Sequence, residues 1–307
     1  MTTDPARAAA VPAPPAVPAP GPAGARAAFE RFLRWTVDEE YAALPARLPD
    51  GEREAFVRYY QRLPRPGDAP AMRPFLRGQW RGDAGWVARW LAARRAPRVL
   101  DAGSGFGTFS MLYASVGADV VGVDLRPDRL DAAERRLAFH RERTGIALPV
   151  RYERGDLTRE WPGTFDLVWV YNALSHIDPL DPFIAGVRDH LRPGGVLVVG
   201  DINGAHPEHL ARLATLRDEV HQQYVAPDGT RHAYAVERPF PPAELRAVVE
   251  RNGLAVERHE LYWRGMAQVP DPLYALAMAP LQRAWRLGAR FARRQMLVAG
   301  LARSAAS

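Results

Sequence analysis

Cysteine and lysine are both absent from this chain of 307 residues. Without cysteine there are no structural disulfides, no thiolate metal ligands and no cysteine nucleophile. Without lysine there is neither a Schiff-base amine nor a phosphate-gripping P-loop lysine. All 41 basic residues are arginine, a bias that a GC-rich genome explains. The eight histidines form no HxxxH or HExxH pair, so no metal site is expected. No apolar run approaches the roughly 20 residues needed to cross a bilayer. Pro12, Pro14, Pro15, Pro18 and Pro20 interrupt any apolar core of a secretory signal, and the expected location is cytoplasmic. The net charge of +6 is unevenly placed: from Pro272 onward there are six arginines and no acid, and the rest of the chain is balanced. A nucleic-acid binder more often spreads positive charge over its main domain, so no nucleic-acid partner is expected.

What is present divides the chain into three parts. Residues 1–25, with seven prolines and nine alanines, have little large apolar surface to bury and read as a disordered tail. Residues 26–95 read as a helical cap. Phe29, Phe32, Leu33 and Trp35 fall at helical spacing, as do Phe56, Tyr59, Tyr60 and Leu63. A further helix over Asp83–Arg95 is expected to bury Trp86, Val87, Trp90 and Leu91. In residues 96–307 short apolar strands alternate with helical stretches. Strands are predicted over Arg98–Asp101, Asp119–Asp124, Val150–Glu153, Phe165–Tyr171 and Gly195–Val199. Helices are predicted over Asp128–Arg143 and Pro241–Asn252, and a strand over Leu254–Tyr262. Alternation of this kind implies βαβ units and a parallel sheet covered on both faces.

The most informative stretch is Val99–Gly107, VLDAGSGFG. A strand ends in Asp101 and a turn carrying Gly103, Ser104, Gly105 and Gly107 leads into a helix. Glycines allow positive φ and a close approach of ligand to backbone. Asp124 closes the second strand, where a carboxylate can accept both hydroxyls of a ribose. The dinucleotide pattern GxGxxG fails because position 108 is Thr108. An acid inside the turn favours a ligand bearing an ammonium or sulfonium and no phosphate.

These residues, in this order, resemble the class I S-adenosylmethionine-dependent methyltransferases. The resemblance covers roughly residues 80–265 and extends toward 303. DAGSGFG resembles the family's first motif, Asp124 with Leu125 its ribose-binding turn, and Gly155-Asp156-Leu157 the turn that reads adenine. FDLVWVYNALSHI resembles the fourth strand and its loop, and Leu191–Gly195 the turn into the fifth strand. The resemblance implies an α/β, Rossmann-like, doubly wound seven-stranded sheet with its last strand antiparallel. Gln295–Leu301 then supplies the last strand, and 205–240 and 263–294 are insertions. It implies S-adenosylmethionine as cofactor, held by Asp101, Gly103, Ser104, Gly105, Gly107, Asp124, Leu125, Asp156, Leu157 and Asn172.

The acceptor side is less marked. His176, just past the fourth strand, is the candidate base, with a positioning or capping histidine as the alternative. Asn172 faces the cofactor or caps the following helix. NALS differs from the NPPY or DPPY of nucleobase-modifying relatives. Asp201 and Asn203 after the fifth strand, and Tyr234 in the 205–240 segment, are candidate acceptor contacts. Gln79-Trp80-Arg81 is expected to belong to a lid over the cofactor. If 281–294 is helical, Leu281, Trp285, Gly288 and Ala292 share one face, with Arg283, Arg286, Arg290, Arg293 and Arg294 opposite. That face suits an anionic membrane surface, or the helix packs on the sheet with its arginines solvated. The expected activity is methyl transfer to a small molecule at oxygen. The alternatives are an RNA or protein methyltransferase and a non-catalytic cofactor-binding subunit.

Overall fold

The computed structural model describes residues 22–61, 63–216, 221–225, 231–235, 239–262, 269–283 and 285–302. Its first elements are helical: α1 (Pro22–Trp35), α2 (Tyr41–Ala43), α3 (Asp50–Tyr60), α4 (Ala69–Arg81) and α5 (Asp83–Ala92). Phe29, Phe32 and Leu33 recur at helical spacing on α1 and are buried, and α5 buries Val87 and Leu91. Between α1 and α2 the chain makes one wide π-helical turn, Thr36–Glu40, which carries Glu40 into the interior. Asp68 caps α4, its carboxylate accepting from the Ala71 amide at 3.0 Å.

Strands and helices then alternate: β1 (Arg98–Ala102), α6 (Thr108–Ser115), β2 (Asp119–Asp124), α7 (Pro127–Thr144), β3 (Val150–Arg154), β4 (Phe165–Tyr171), α8 (Leu180–His190) and β5 (Leu191–Ile202). After α9 (Pro207–Leu216) comes a hairpin of β6 (His221–Val225) and β7 (Arg231–Ala235). The chain ends through α10 (Pro242–Arg251), β8 (Leu254–Tyr262), α11 (Asp271–Arg283), α12 (Trp285–Phe291) and β9 (Arg294–Leu301). Seven strands form one sheet in the order β3-β2-β1-β4-β5-β9-β8. The β1, β2, β3, β4 and β5 pairings are parallel, and β9 runs antiparallel to both of its neighbours. This is the doubly wound, Rossmann-like sheet that the resemblance implies.

Alternation along the strands explains the two-sided core. Val99, Val120, Leu167, Trp169 and Val198 face one way, against α1, α5 and α6. Leu100, Val121, Val168, Val170 and Leu197 face the other, with α8 and α10 residues such as Ile184, Val187 and Val248. Both faces are covered, so the strands read as nearly continuous apolar runs. Arg192–Gly195 loops out of register as β5 begins, with Gly194 at φ 75°.

The 205–240 segment, expected as an insertion, holds α9 and the hairpin. Two expectations change. The predicted helix over 281–294 is divided: α12 ends at Phe291, and Arg294 opens β9, opposite Ile202 and Tyr262, with its side chain buried. Pairing on both edges of β9 claims that residue for the sheet. Trp80 does not reach the cofactor side; it packs edge-on against Phe29, with the guanidinium groups of Arg26 and Arg89 over its ring. Within the predicted tail, α1 already begins at Pro22, and residues 1–21 lie outside the described residues.

Candidate active site

The turn after β1 is shaped by close approach. The amides of Gly103 and Ser104 both donate to the Val123 carbonyl, at 2.8 and 3.0 Å, pinning the turn to β2. Gly103 has φ 72°, and a Cβ there would lie 2.6 Å from the Ala173 methyl. Gly107, at the start of α6, has φ 71°, and its Cβ would meet the Tyr152 hydroxyl at 2.0 Å. No side chain other than hydrogen fits at either position.

Asp124 ties the turn from the neighbouring strand. Its Oδ2 accepts from the Gly105 amide at 2.8 Å and its Oδ1 from the Arg126 amide at 2.9 Å. A carboxylate has about four acceptor sites, so capacity for a ligand's hydroxyls remains. Asp156 is built likewise, its Oδ1 accepting from the Thr158 amide at 3.0 Å and hydroxyl at 2.6 Å.

These turns surround a cavity of about 320 Å³ at the carboxyl edge of the sheet. Gly103, Ser104, Gly105 and Asp101 line its floor. Asp124, Leu125, Asp156 and Leu157 line the end beside β2 and β3, and Asn172 and His176 the end beside β4. Gly107 shapes the turn without lining the cavity. Asp101 is buried and accepts a 2.6 Å bond from Ser110 Oγ. Burial pushes its carboxyl up to about 7; the Ser110 hydrogen bonds oppose that shift and the Asp124 charge adds to it. The Ser104 hydroxyl is buried with no hydrogen-bond partner among the described residues. A buried acid in a ligand-sized cavity is best compensated by a cation.

The end beside β4 is assembled from distant residues. Asn172 sits at φ 49°, its amide donating to the Gly200 carbonyl at 3.0 Å and its Oδ1 accepting from Arg294 Nη1 at 2.5 Å. His176 closes a single 3₁₀ turn, Leu174–His176, against which β7 lies. Asp201 and Asn203 are not brought to the cavity. Asn203 is fully buried, its Nδ2 donating to the Ala289 and Ala292 carbonyls at 2.7 Å each and its Oδ1 accepting from Ala205. Asp201 is buried in β5, with Oδ1 accepting from the Ile202 amide at 2.7 Å. Tyr234 lies in β7, and its side chain is outside the described residues.

Sequence reasoning missed several wall residues: Tyr59, Phe106, Phe109, Arg126, Arg129 and Tyr171. Phe106, Phe109 and Tyr171 lie inside or beside the motifs already singled out and could have been found by position. Tyr59 comes from α3 and carried no signal beyond helical spacing. Its ring lies 5.4 Å from that of Phe106. The helices before β1 are locked beside the glycine turn by Arg136, fully buried on α7. Its Nε and Nη2 donate to the two Glu40 oxygens at 2.7 Å each, and Nη1 donates to the Phe106 carbonyl and, at 2.8 Å, to Thr108 Oγ1. Tyr60 completes the lock with a hydroxyl contact to Thr108. Burial opposes the guanidinium charge, but the charge and hydrogen bond of Glu40, together with Tyr60 and Tyr152, outweigh it and the pKa of Arg136 is raised.

Residues 100–197 match a family model described as a methyltransferase domain. Over 180 residues the chain is 33% identical to the ubiquinone biosynthesis O-methyltransferase of Xanthomonas euvesicatoria pv. vesicatoria (strain 85-10), spanning 56% of this chain and 70% of that protein. Over 191 residues it is 32% identical to the protein of the same name from Xanthomonas axonopodis pv. citri (strain 306), spanning 59% and 74%. Among solved structures it is similar to the magnesium protoporphyrin IX methyltransferase of Synechocystis PCC 6803 with bound SAH. That likeness has 18% identity and a TM-score of 0.51, over 81% of this chain and 95% of the other. An S-adenosylmethionine-dependent methyltransferase from Clostridium acetobutylicum ATCC 824 matches at 15% identity and a TM-score of 0.51, over 81% and 98%. At such identities the two structures speak for the fold.

Proposed function

As a member of the class I S-adenosylmethionine-dependent methyltransferases, to which this chain belongs, the protein is an enzyme that draws its methyl group from S-adenosylmethionine, and we propose that it delivers that group to a hydroxyl oxygen of a small, largely apolar acceptor. The observation that carries the reading is the cavity itself. A buried acid, Asp101, forms its floor, and a second acid, Asp124, and a histidine, His176, stand at opposite ends. The donor set fits the cofactor: Asp101 meets an ammonium, Asp124 the ribose hydroxyls, and Asp156 with Leu157 the adenine. The cofactor, when bound, supplies an electrophilic methyl on a sulfonium. The chain's own residues supply orientation and dryness, and His176 takes the proton from the acceptor hydroxyl. The preference for oxygen rests on His176 and on the O-methyltransferase names of the relatives. Tyr234 stays in the proposal as an acceptor contact because β7 lies against the His176 turn. Asp201 and Asn203 act instead by holding the exit of β5. The proposed compartment is the cytoplasm, where the cofactor is made.

The test incubates the protein with methyl-labelled S-adenosylmethionine and an extract of its source cells, then partitions the label. Organic-phase label, lost with His176→Ala while cofactor binding persists, is the expected result. Acid-precipitable label would transfer the reading to RNA or protein. Binding without any label would favour a non-catalytic subunit.

We also propose a peripheral contact between the C-terminal insertion and an anionic membrane. Among the described residues no helix is long and apolar enough to cross a bilayer. Leu273 and Leu276 on α11 are 56% and 71% exposed, and Phe291 on α12 is 59% exposed. They stand in a stretch with six arginines and no acid, and side chains 281–287 lie outside the described residues. The full chain should sediment with phosphatidylglycerol vesicles and not with phosphatidylcholine vesicles, and Leu276→Glu should abolish this. Failure to sediment with either refutes the contact.

A further inference from the structure

Asn172 is held in an uncommon backbone conformation by a charge from 122 residues away. Left-handed φ is unfavourable for a non-glycine residue, and it persists only where the surroundings over-determine it. Here they do. The Asn172 amide is taken by Gly200 on β5 and the side-chain oxygen by Arg294 on β9. Arg294 is itself constrained: its guanidinium carbon lies 4.9 Å from the Tyr171 ring centre, and its Nη2 lies 3.6 Å from Asp83 Oδ2. Asp83, fully buried at the start of α5, accepts a 2.5 Å bond from the Tyr262 hydroxyl at the end of β8. It also packs directly on Gly200, where a Cβ would lie 2.4 Å from its Oδ2. Residues from β4, β5, β8, β9 and α5 are thus linked in one network, with Arg294 joining Asn172 to Asp83. The network stands between the cofactor cavity and a second cavity of about 190 Å³ lined by Asp83, Tyr262, Tyr274 and Met278.

The orientation has a chemical consequence. An amide whose oxygen is turned to a guanidinium keeps its remaining lone pair beside that cation and presents its two N–H donors to the other side, where a ligand can meet them. Such a group suits a carboxylate, and Asn172 lines the end of the cavity beside β4, away from Asp124 and Asp156. Resting on the reading of this cavity as the S-adenosylmethionine site, we infer that Arg294 is a positioning residue that turns the Asn172 amide toward the carboxylate of the cofactor's methionine half. Asp101 receives the ammonium of the same amino acid, so the two residues divide a zwitterion between them.

The experiment measures, by titration calorimetry on the full chain, the affinities for S-adenosylhomocysteine and for 5′-methylthioadenosine. The second ligand lacks the amino-acid half. Arg294→Met should weaken S-adenosylhomocysteine about tenfold or more and leave methylthioadenosine within about twofold. Arg294→Lys, which keeps one donor, should recover part of the loss. The double variant Arg294→Met/Asn172→Gly should be no weaker than Asn172→Gly alone, because the arginine acts through the asparagine. Equal weakening of both ligands, no weakening, or additive losses overturns the inference. Should Arg294→Met fail to fold, Asn172→Asp decides. Its carboxylate faces that of the ligand, so only S-adenosylhomocysteine should weaken, and an unchanged affinity overturns the inference. A wild-type chain that binds neither ligand would instead refute the cofactor reading of the cavity.

Discussion

The two ends of the cavity are built in different ways. At the end beside β2 and β3, each acid closes a turn of its own: Asp124 bonds the amide two residues on, and Asp156 the amide and hydroxyl of Thr158. Elsewhere remote residues do the holding: the wall beside β4 is held by Arg294, Asp83 and Tyr262, and the helix that follows the glycine turn is braced by Glu40 and Arg136, which meet across 96 residues. The first end is held by hydrogen bonds within each strand-end turn and, from Asp124, by one to the Gly105 amide of the adjoining turn, all of them uncharged-donor bonds made between neighbouring strand ends. The remote contacts need buried charges that become tolerable only when their partners arrive from other elements.

The sharpest way to break the remote contacts is Glu40→Ala. Arg136 would be left buried and uncompensated, and losing one partner of a buried pair costs about 3–5 kcal/mol. Denaturant unfolding should show that loss, and a cost near zero would show that the helices before β1 are not anchored by this pair. On the local side, Gly103→Val places atoms against Ala173 at φ 72° and should weaken cofactor affinity about a hundredfold, an overlap worth about 1–3 kcal/mol plus the backbone strain. Unchanged affinity would mean that the turn yields.

Protonation of Asp101 separates the two ends by pH. Its carboxyl is raised from 3.8 to about 7 in the folded chain. The group is therefore most favourable to folding below pH 3.8, and that contribution is lost as pH rises through about 7. A cationic ligand needs the carboxylate, so affinity for S-adenosylmethionine should rise about tenfold per pH unit up to about 7 and then level. Binding below pH 7 should take up fewer protons than it releases, and methylthioadenosine, without the ammonium, should show a flat profile. A flat profile for both ligands would remove Asp101 from the methionine end. The smallest effect belongs to Arg47→Ala. This residue joins Glu142 at 2.9 Å across the same interface as Glu40 and Arg136, but both side chains are about half exposed. Its pair should be worth under about 1 kcal/mol, visible only as a slight shift in melting temperature.

Legibility followed the same division. β2, β4 and β8 begin and end at the residues expected from the apolar pattern, and β1 and β3 run one residue longer. Every residue expected to touch the cofactor lines the cavity except Gly107, whose place is under the turn. The misjudged residues depend on strand pairing or on burial by remote elements. Arg294 looked like one more arginine on a basic helix face until β9 claimed it. Asn203 looked like an acceptor contact, yet it binds the carbonyls at the end of α12.

By itself the sequence determined the alternation of strands and helices, the glycine turn and the acids at the strand ends. Each is a matter of periodicity or of a few adjacent residues. Only the tertiary structure decided which arginines are solvated and which are buried, and which asparagine faces the cavity. The reason is physical: a charged side chain is placed by the partners that make its burial affordable, and those partners lie up to 179 residues apart in the chain.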